Sequence, residues 1–318
     1  MAHHWTKGDC FPASYRALEF QRPPNYTWAE GIYPDLSGAK PLNLQGITLQ
    51  FVVLFMGGLK FEHFVYTYCQ QPPVGSCNYY EEGVNMSDLN SYGFGQTGSI
   101  STPQIRNRVL RNTYALLALT MVPTVIGAWL GVAFGLNFMA GSPFLGFIVF
   151  MAVAIGFFWA IQKNKDSGLG VLLLLGFTFF MGIMMSGLVG YTLNSFSNGA
   201  TLIMLAFGGT GAIFAVMATI ATVSKSDFQG MGKWLMVGVL LLIVASLANI
   251  WLQLPALMMT VMVLAIGIFS AFILVDVQRI INGGETNYIM ATLAIYLDVY
   301  NVFTNLLALL GIVGGDRD

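Results

Sequence analysis

The sequence predicts an all-α polytopic membrane protein, a seven-transmembrane-helix bundle with its N-terminus cytoplasmic and its C-terminus outside. Three observations carry that expectation. Of 318 residues, 56% are hydrophobic and only 9% charged, with a mean hydropathy of +0.68. Soluble domains carry about 25% charged residues. From Ser101 onward seven apolar runs follow one another, and the basic residues gather in alternate connections between them.

Residues 1–98 differ from everything after them. They hold every histidine (His3, His4, His63), every cysteine (Cys10, Cys69, Cys77) and seven of the eleven prolines. Their one apolar run, Ile47 to Leu59, is about 13 residues, short of the ~20 needed to cross the hydrocarbon core. It reads as a buried strand or an interfacial segment rather than an eighth span. An odd cysteine count, all of it upstream of the hydrophobic part, argues against a structural Cys69–Cys77 disulfide. The first twenty residues lack the apolar stretch of a cleavable signal, so targeting falls to the first true span. The chain therefore divides into an N-terminal extension, 1–98, poorly structured or of unknown fold, and a membrane domain, 99–318.

The runs lie near 112–136, 143–161, 168–193, 200–223, 234–253, 255–281 and 288–313. At 1.5 Å per residue each reaches or nearly reaches across a bilayer. Short connections make sequential helices neighbours. Arg106, Arg108 and Arg111 precede the first run, and Lys163 and Lys165 follow the second. Lys225 and Lys233 bracket the link after the fourth, and Arg279 closes the sixth. The other connections carry no Lys or Arg, and only Arg317 lies on their side. Lys and Arg mark cytoplasmic loops, which fixes the expected orientation. Gly127, Gly131 and Gly135 repeat at four-residue spacing, and Gly208, Gly209 and Gly211 crowd the fourth run. Small residues let helices approach closely, although glycine is also simply frequent in membrane helices. Pro123 and Pro255 are expected to bend or start helices.

The chemistry concentrates in 272–305, where two apolar runs flank a short polar turn and each contains one aspartate, Asp276 and Asp298. Ionising a carboxylate at membrane depth costs several kcal/mol, roughly 2.5–3.5 on insertion scales. Asp298, Asn301 and Asn305 share one helical face that should point into the bundle. Asp276 has Gln278 and Arg279 beside it. Counted from the turn, the two acids lie roughly 9 and 15 Å deep. Asp276 reads either as part of a site or as a near-interface acid paired with Arg279 at i+3. Asp298 reads either as the other half of that site or as a neutral acid hydrogen-bonded as packing glue. Asn249 and Gln253 read as interfacial.

Two membrane-embedded aspartates also define intramembrane aspartyl proteases. The contexts here, LVD and YLD, lack a GxGD motif. Serine or zinc chemistry lacks parts, because no histidine follows residue 63. The chain is therefore expected not to be an enzyme, and no cofactor or metal is assigned. A net charge of −1 without a basic block argues against nucleic acid. An ion- or proton-coupled transporter fits buried acids, but the internal repeats that often accompany that function are not found.

The ending GGETNYIMATLAIYLDVYNVFTNLLALLGI, the VDVQRI before it and the entry IRNRVLRNTYALLALTMVPTVIGAWLG resemble the Bax inhibitor-1 family. Within it they are most similar to its bacterial YccA-type members, over about residues 99–318. That resemblance implies six helices around a central seventh, in the bacterial inner (cytoplasmic) membrane. It maps Asp276 and Asp298 onto a pH-responsive aspartate latch over a calcium-leak path; by their spacing, Arg279, Asn301 and Asn305 read as supporting polar groups beside the two acids. In this pairing the two acids would share one proton. Members with the latch place an arginine in the second helix, and Phe144–Ile161 contains none. For YccA-type members the implied role is binding and restraining the membrane protease FtsH. The expected partners are thus the lipid bilayer, an FtsH-type protease, and calcium or protons.

Overall fold

The computed structural model describes residues 103–135 and 143–315, and what was expected of 1–98, the cysteines, the histidines and Arg317 lies outside them. The described residues form seven helices and no strand. They are α1 (Pro103–Ala133), α2 (Pro143–Lys163), α3 (Gly168–Ser195), α4 (Gly199–Val223), α5 (Met231–Leu252), α6 (Pro255–Ile281) and α7 (Tyr288–Gly314). Six are long and apolar enough to cross a membrane; α2 is the exception, with a shorter apolar part, Ile148–Lys163.

The helices match the apolar runs closely, with one difference. α1 starts at Pro103, well before the run near 112, because the basic segment from Arg106 to Arg111 is itself helical. A hydrophobic run marks only the part that avoids water. Backbone hydrogen bonding continues beyond it, and Pro103 suits a first helical position, where no N–H is needed.

α7 is the hub. Two thirds of its most apolar window is buried (67%), against 11% for α4. Its principal neighbours are α1, α3, α4 and α6, while α2 docks on α3 and α5 on α6. α7 is thus central, as the resemblance implies, with α1, α3, α4 and α6 packed most closely on it. A line of rings ties α2 inward. Phe150 stacks on Phe180 at 5.7 Å, Phe157 lies 6.1 Å from Phe180 and 6.0 Å from Phe177, and Phe177 meets Tyr296 edge-on at 6.4 Å.

α1 and α3 pack closest, through small residues on both helices. A Cβ on Gly127 would collide with the Phe179 carbonyl, one on Gly131 with the Ser186 side chain, and one on Gly182 with the Thr124 carbonyl. Gly135 is not part of this contact; it ends the helix at φ +61° in open space. The α4 glycines also divide. A Cβ on Gly209 would come within 2.9 Å of Leu306, whereas Gly208 and Gly211 face nothing.

The two prolines take different places in their helices. Pro123 sits inside α1 and cannot donate a backbone hydrogen bond. One residue on, the Thr124 hydroxyl donates back to the Thr120 carbonyl at 2.8 Å. Pro255 occupies the first turn of α6. Asn249, in the last turn of α5, is buried and builds the α5–α6 corner. Its backbone carbonyl accepts from Gln253 N at 2.8 Å and its side-chain Oδ1 accepts from Leu254 N at 3.0 Å. Gln253 there takes a left-handed φ of 49°.

Candidate functional site

α6 and α7 form an antiparallel hairpin whose turn, 282–287, is specified residue by residue. Gly283 adopts φ 77°, so the chain reverses where a side chain would be strained. The Gly284 N–H donates to Arg279 O at 2.9 Å and the Gly283 N–H to Ile280 O at 3.1 Å, the paired closure that satisfies a helix's last carbonyls. Asn287 then starts α7. Its Oδ1 accepts from Ile289 N at 3.0 Å and Met290 N at 3.1 Å, filling two of the first turn's open donors.

The same turn binds two other loops. Asn287 Nδ2 donates to Lys165 O and to Asp166 Oδ1, both at 2.9 Å. Gln278, buried in the last turns of α6, accepts from Phe228 N and donates to Ser226 O, both at 2.6 Å. The α2–α3, α4–α5 and α6–α7 loops thus meet at one end of the helices. That end carries Lys163, Lys165, Lys225, Lys233 and Arg279. At the α7 C-terminus, Asn198 of the α3–α4 connection donates to Gly314 O at 2.7 Å.

Within the turn, Glu285 Oε1 accepts from Asn287 N at 2.9 Å. Burial pushes its carboxyl above the usual 4.5, partly countered by the Asn287 and Thr286 N–H groups and by the Arg279 and Lys165 charges. Arg279 is half-buried, and its stem lies against Gly284.

The sequence-predicted site residues all fall on this hairpin. Asp276 is buried in α6, 8% exposed, and Asp298 is fully buried in α7. At helical rise they stand about 9 and about 16 Å from the turn. Asn301 and Asn305 are also fully buried on α7. Their amides bond within the helix, Asn301 Nδ2 to Leu297 O and Asn305 Nδ2 to Asn301 O, each at 2.8 Å.

Several polar residues that organise the site did not stand out in the sequence. Tyr296 is fully buried on α7, and its hydroxyl lies 3.0 Å from Thr124 Oγ1 of α1. Thr124 in turn is 3.2 Å from Thr178 O of α3, and Tyr300 donates to Met181 O at 3.3 Å. These hydroxyls fasten α7 to α1 and α3. Asn287 was legible as an asparagine before an apolar run, the usual cap signal. Nothing in the local sequence gives the partners of Gln278 or Tyr296, which lie far along the chain.

The profile of the family described as "Inhibitor of apoptosis-promoting Bax1" matches residues 106–315. The chain is 33% identical over 233 residues to the Escherichia coli K12 protein named modulator of FtsH protease YccA, covering 73% of this chain and 100% of that one. It has the same identity and coverage with a protein of Escherichia coli O6:H1 named inner membrane protein YccA. An uncharacterised membrane protein of Vibrio cholerae is 35% identical over 231 residues, 72% of this chain and 100% of its own.

Proposed function

The chain belongs to the family of inhibitors of apoptosis-promoting Bax1, and from that premise we propose that it is an integral inner-membrane modulator of an FtsH-type protease. One observation carries this reading. The membrane domain aligns with the whole length of a protein whose name states that role. The chain acts by binding rather than catalysis. Its bonded three-loop end and its lipid-facing helices are the surfaces it offers to such a partner. In native membranes, cross-linking should recover protease subunits, and overexpression should slow turnover of the protease's membrane substrates. Recovery of no protease with unchanged turnover would remove the proposal.

All seven helices cross the bilayer in this reading, N-terminus in the cytoplasm and C-terminus outside. Supporting this, the three bonded loops carry the basic residues of the positive-inside pattern. Exposed tryptophans also lie near both ends, Trp159 and Trp234 toward that end and Trp129 and Trp251 toward the other. On α5, Trp234 and Trp251 are separated by roughly 25 Å at helical rise, close to a hydrocarbon thickness. Cysteine-accessibility labelling at Ser226 and Asn198 in sealed vesicles tests the orientation.

A second reading, a pH-sensitive leak for calcium or protons gated by Asp276 and Asp298, draws on the burial of both acids on adjacent helices. A pair holding one proton would lose it as pH rises, and two like charges would part α6 from α7. Calcium flux into proteoliposomes, measured against pH for wild type and Asp298→Asn, separates the two readings. The leak reading requires a flux that rises with pH and changes in the variant, and a pH-independent or absent flux sinks it.

A further inference from the structure

One side of α7 carries a row of buried oxygens, two of which, on Asn301 and Asn305, meet no donor among the described residues. Asp298, Asn301 and Asn305 are fully buried and fall within about 60° of one another at 100° per residue. Tyr296 and Tyr300 occupy the opposite side, where they reach α1 and α3. The row therefore faces the remaining principal neighbours, α4 and α6.

Both asparagine amides spend their Nδ2 groups on carbonyls of their own helix. Asn301 Oδ1 and Asn305 Oδ1 meet no donor among the described residues. Turning either amide over would set its oxygen against a backbone carbonyl, so the assignment follows from the bonding. The facing helices have little to offer. α4 contains no Lys or Arg, and the one basic residue of α6, Arg279, lies in its last turn. The buried hydroxyls of Thr210 and Ser270 donate to their own helices, to Ala206 O at 2.8 Å and Ile266 O at 2.6 Å.

Buried acceptors in proteins are nearly always met, by ordered water where the chain supplies nothing. We propose that Asn301 and Asn305 form an internal hydration site, holding a short file of water molecules beside Asp298. The spacing suits it. Side chains three or four residues apart on a helix stand about 5–6 Å apart. A water giving one proton to each neighbour, with bonds of about 2.8 Å, joins oxygens about 4.5 Å apart, a separation that side chains on such neighbouring positions can reach. One molecule bridges Asp298 to Asn301 and a second bridges Asn301 to Asn305. The file gives a carboxyl group deep in the bundle a polar solvent through which its proton can exchange. The site is independent of protease modulation.

X-ray hydroxyl-radical footprinting of the full chain in detergent tests it. Radicals form from water in place, so a side chain closed to bulk solvent is oxidised only beside bound water. Val302 and Leu293 are both fully buried. Val302 lies within about 40° of Asp298, and Leu293 lies on the far side of α7. Val302 should be oxidised several-fold faster than Leu293, although leucine is intrinsically the more reactive. The excess should disappear in Asn301→Leu and Asn305→Leu variants that remain monodisperse. Where a variant does not fold, the wild-type comparison alone decides. Equal rates at Val302 and Leu293, or an excess unchanged in a folded variant, would overturn the site.

Discussion

Gln278 accepts the Phe228 backbone N–H at 2.6 Å, across 50 positions of sequence, while the other end of the same amide holds the Ser226 carbonyl. An amide satisfies both because it presents one acceptor and one donor side by side. Gln278→Ala should cost about 1–2 kcal/mol, two loop hydrogen bonds with partial replacement by water. It should also speed amide hydrogen exchange across 224–230 and leave α1–α3 exchange unchanged. Unaltered exchange in 224–230 would show that the clamp does not hold the loop.

Asn287 has two separable jobs, and one substitution splits them. Asp at this position keeps the oxygen that caps α7 but loses the Nδ2 donor and sets a carboxylate against Asp166. Asn287→Ala should lose about 1–2 kcal/mol through the cap and the tie together. Asn287→Asp should also melt below wild type, and salt should recover part of its loss by screening the like charges. Thermal melting at two ionic strengths checks both. A salt-insensitive Asn287→Asp would place Asp166 away from the turn.

The glycines predict opposite signs for one chemical change. Gly182→Ala and Gly127→Ala drive a methyl into facing backbone carbonyls and should destabilise by about 1–3 kcal/mol. Gly208→Ala and Gly211→Ala point into open space and should be neutral, or more stable by up to about 1 kcal/mol through helix propensity. Melting temperatures of the four variants decide it.

Glu285 gives a pH dependence of definite sign. Burial raises its carboxyl in the folded chain above the ordinary 4.5. The folded state then binds this proton more tightly than the unfolded state, so stability falls as pH rises from about 4.5 through the folded value. Above that value the cost of the buried charge is fully present. Glu285→Gln keeps an acceptor for the Asn287 N–H and removes the ionisation. It should melt above wild type at pH 7–8, with the gap closing toward pH 4.5. A variant less stable at neutral pH would mean that Arg279 and Lys165 outweigh burial.

The sequence by itself determined the helices. Burying backbone in lipid requires continuous apolar helix, and such a run leaves a one-dimensional trace. Seven runs became seven helices, and Gly283 and Asn287 were placed to reverse the chain between α6 and α7. The acids and asparagines of that hairpin were legible for the same reason, since a polar side chain in an apolar run has to turn inward. The tertiary structure decided which glycines touch a neighbour, that Gly127 does and Gly208 does not. It also decided that Gln278 ties a loop 50 residues away and that Tyr296 fastens α7 to α1. These depend on where two distant segments meet, and in lipid apolar surface does not choose that meeting. Close packing and buried hydrogen bonds choose it, and they exist only once both helices are in place.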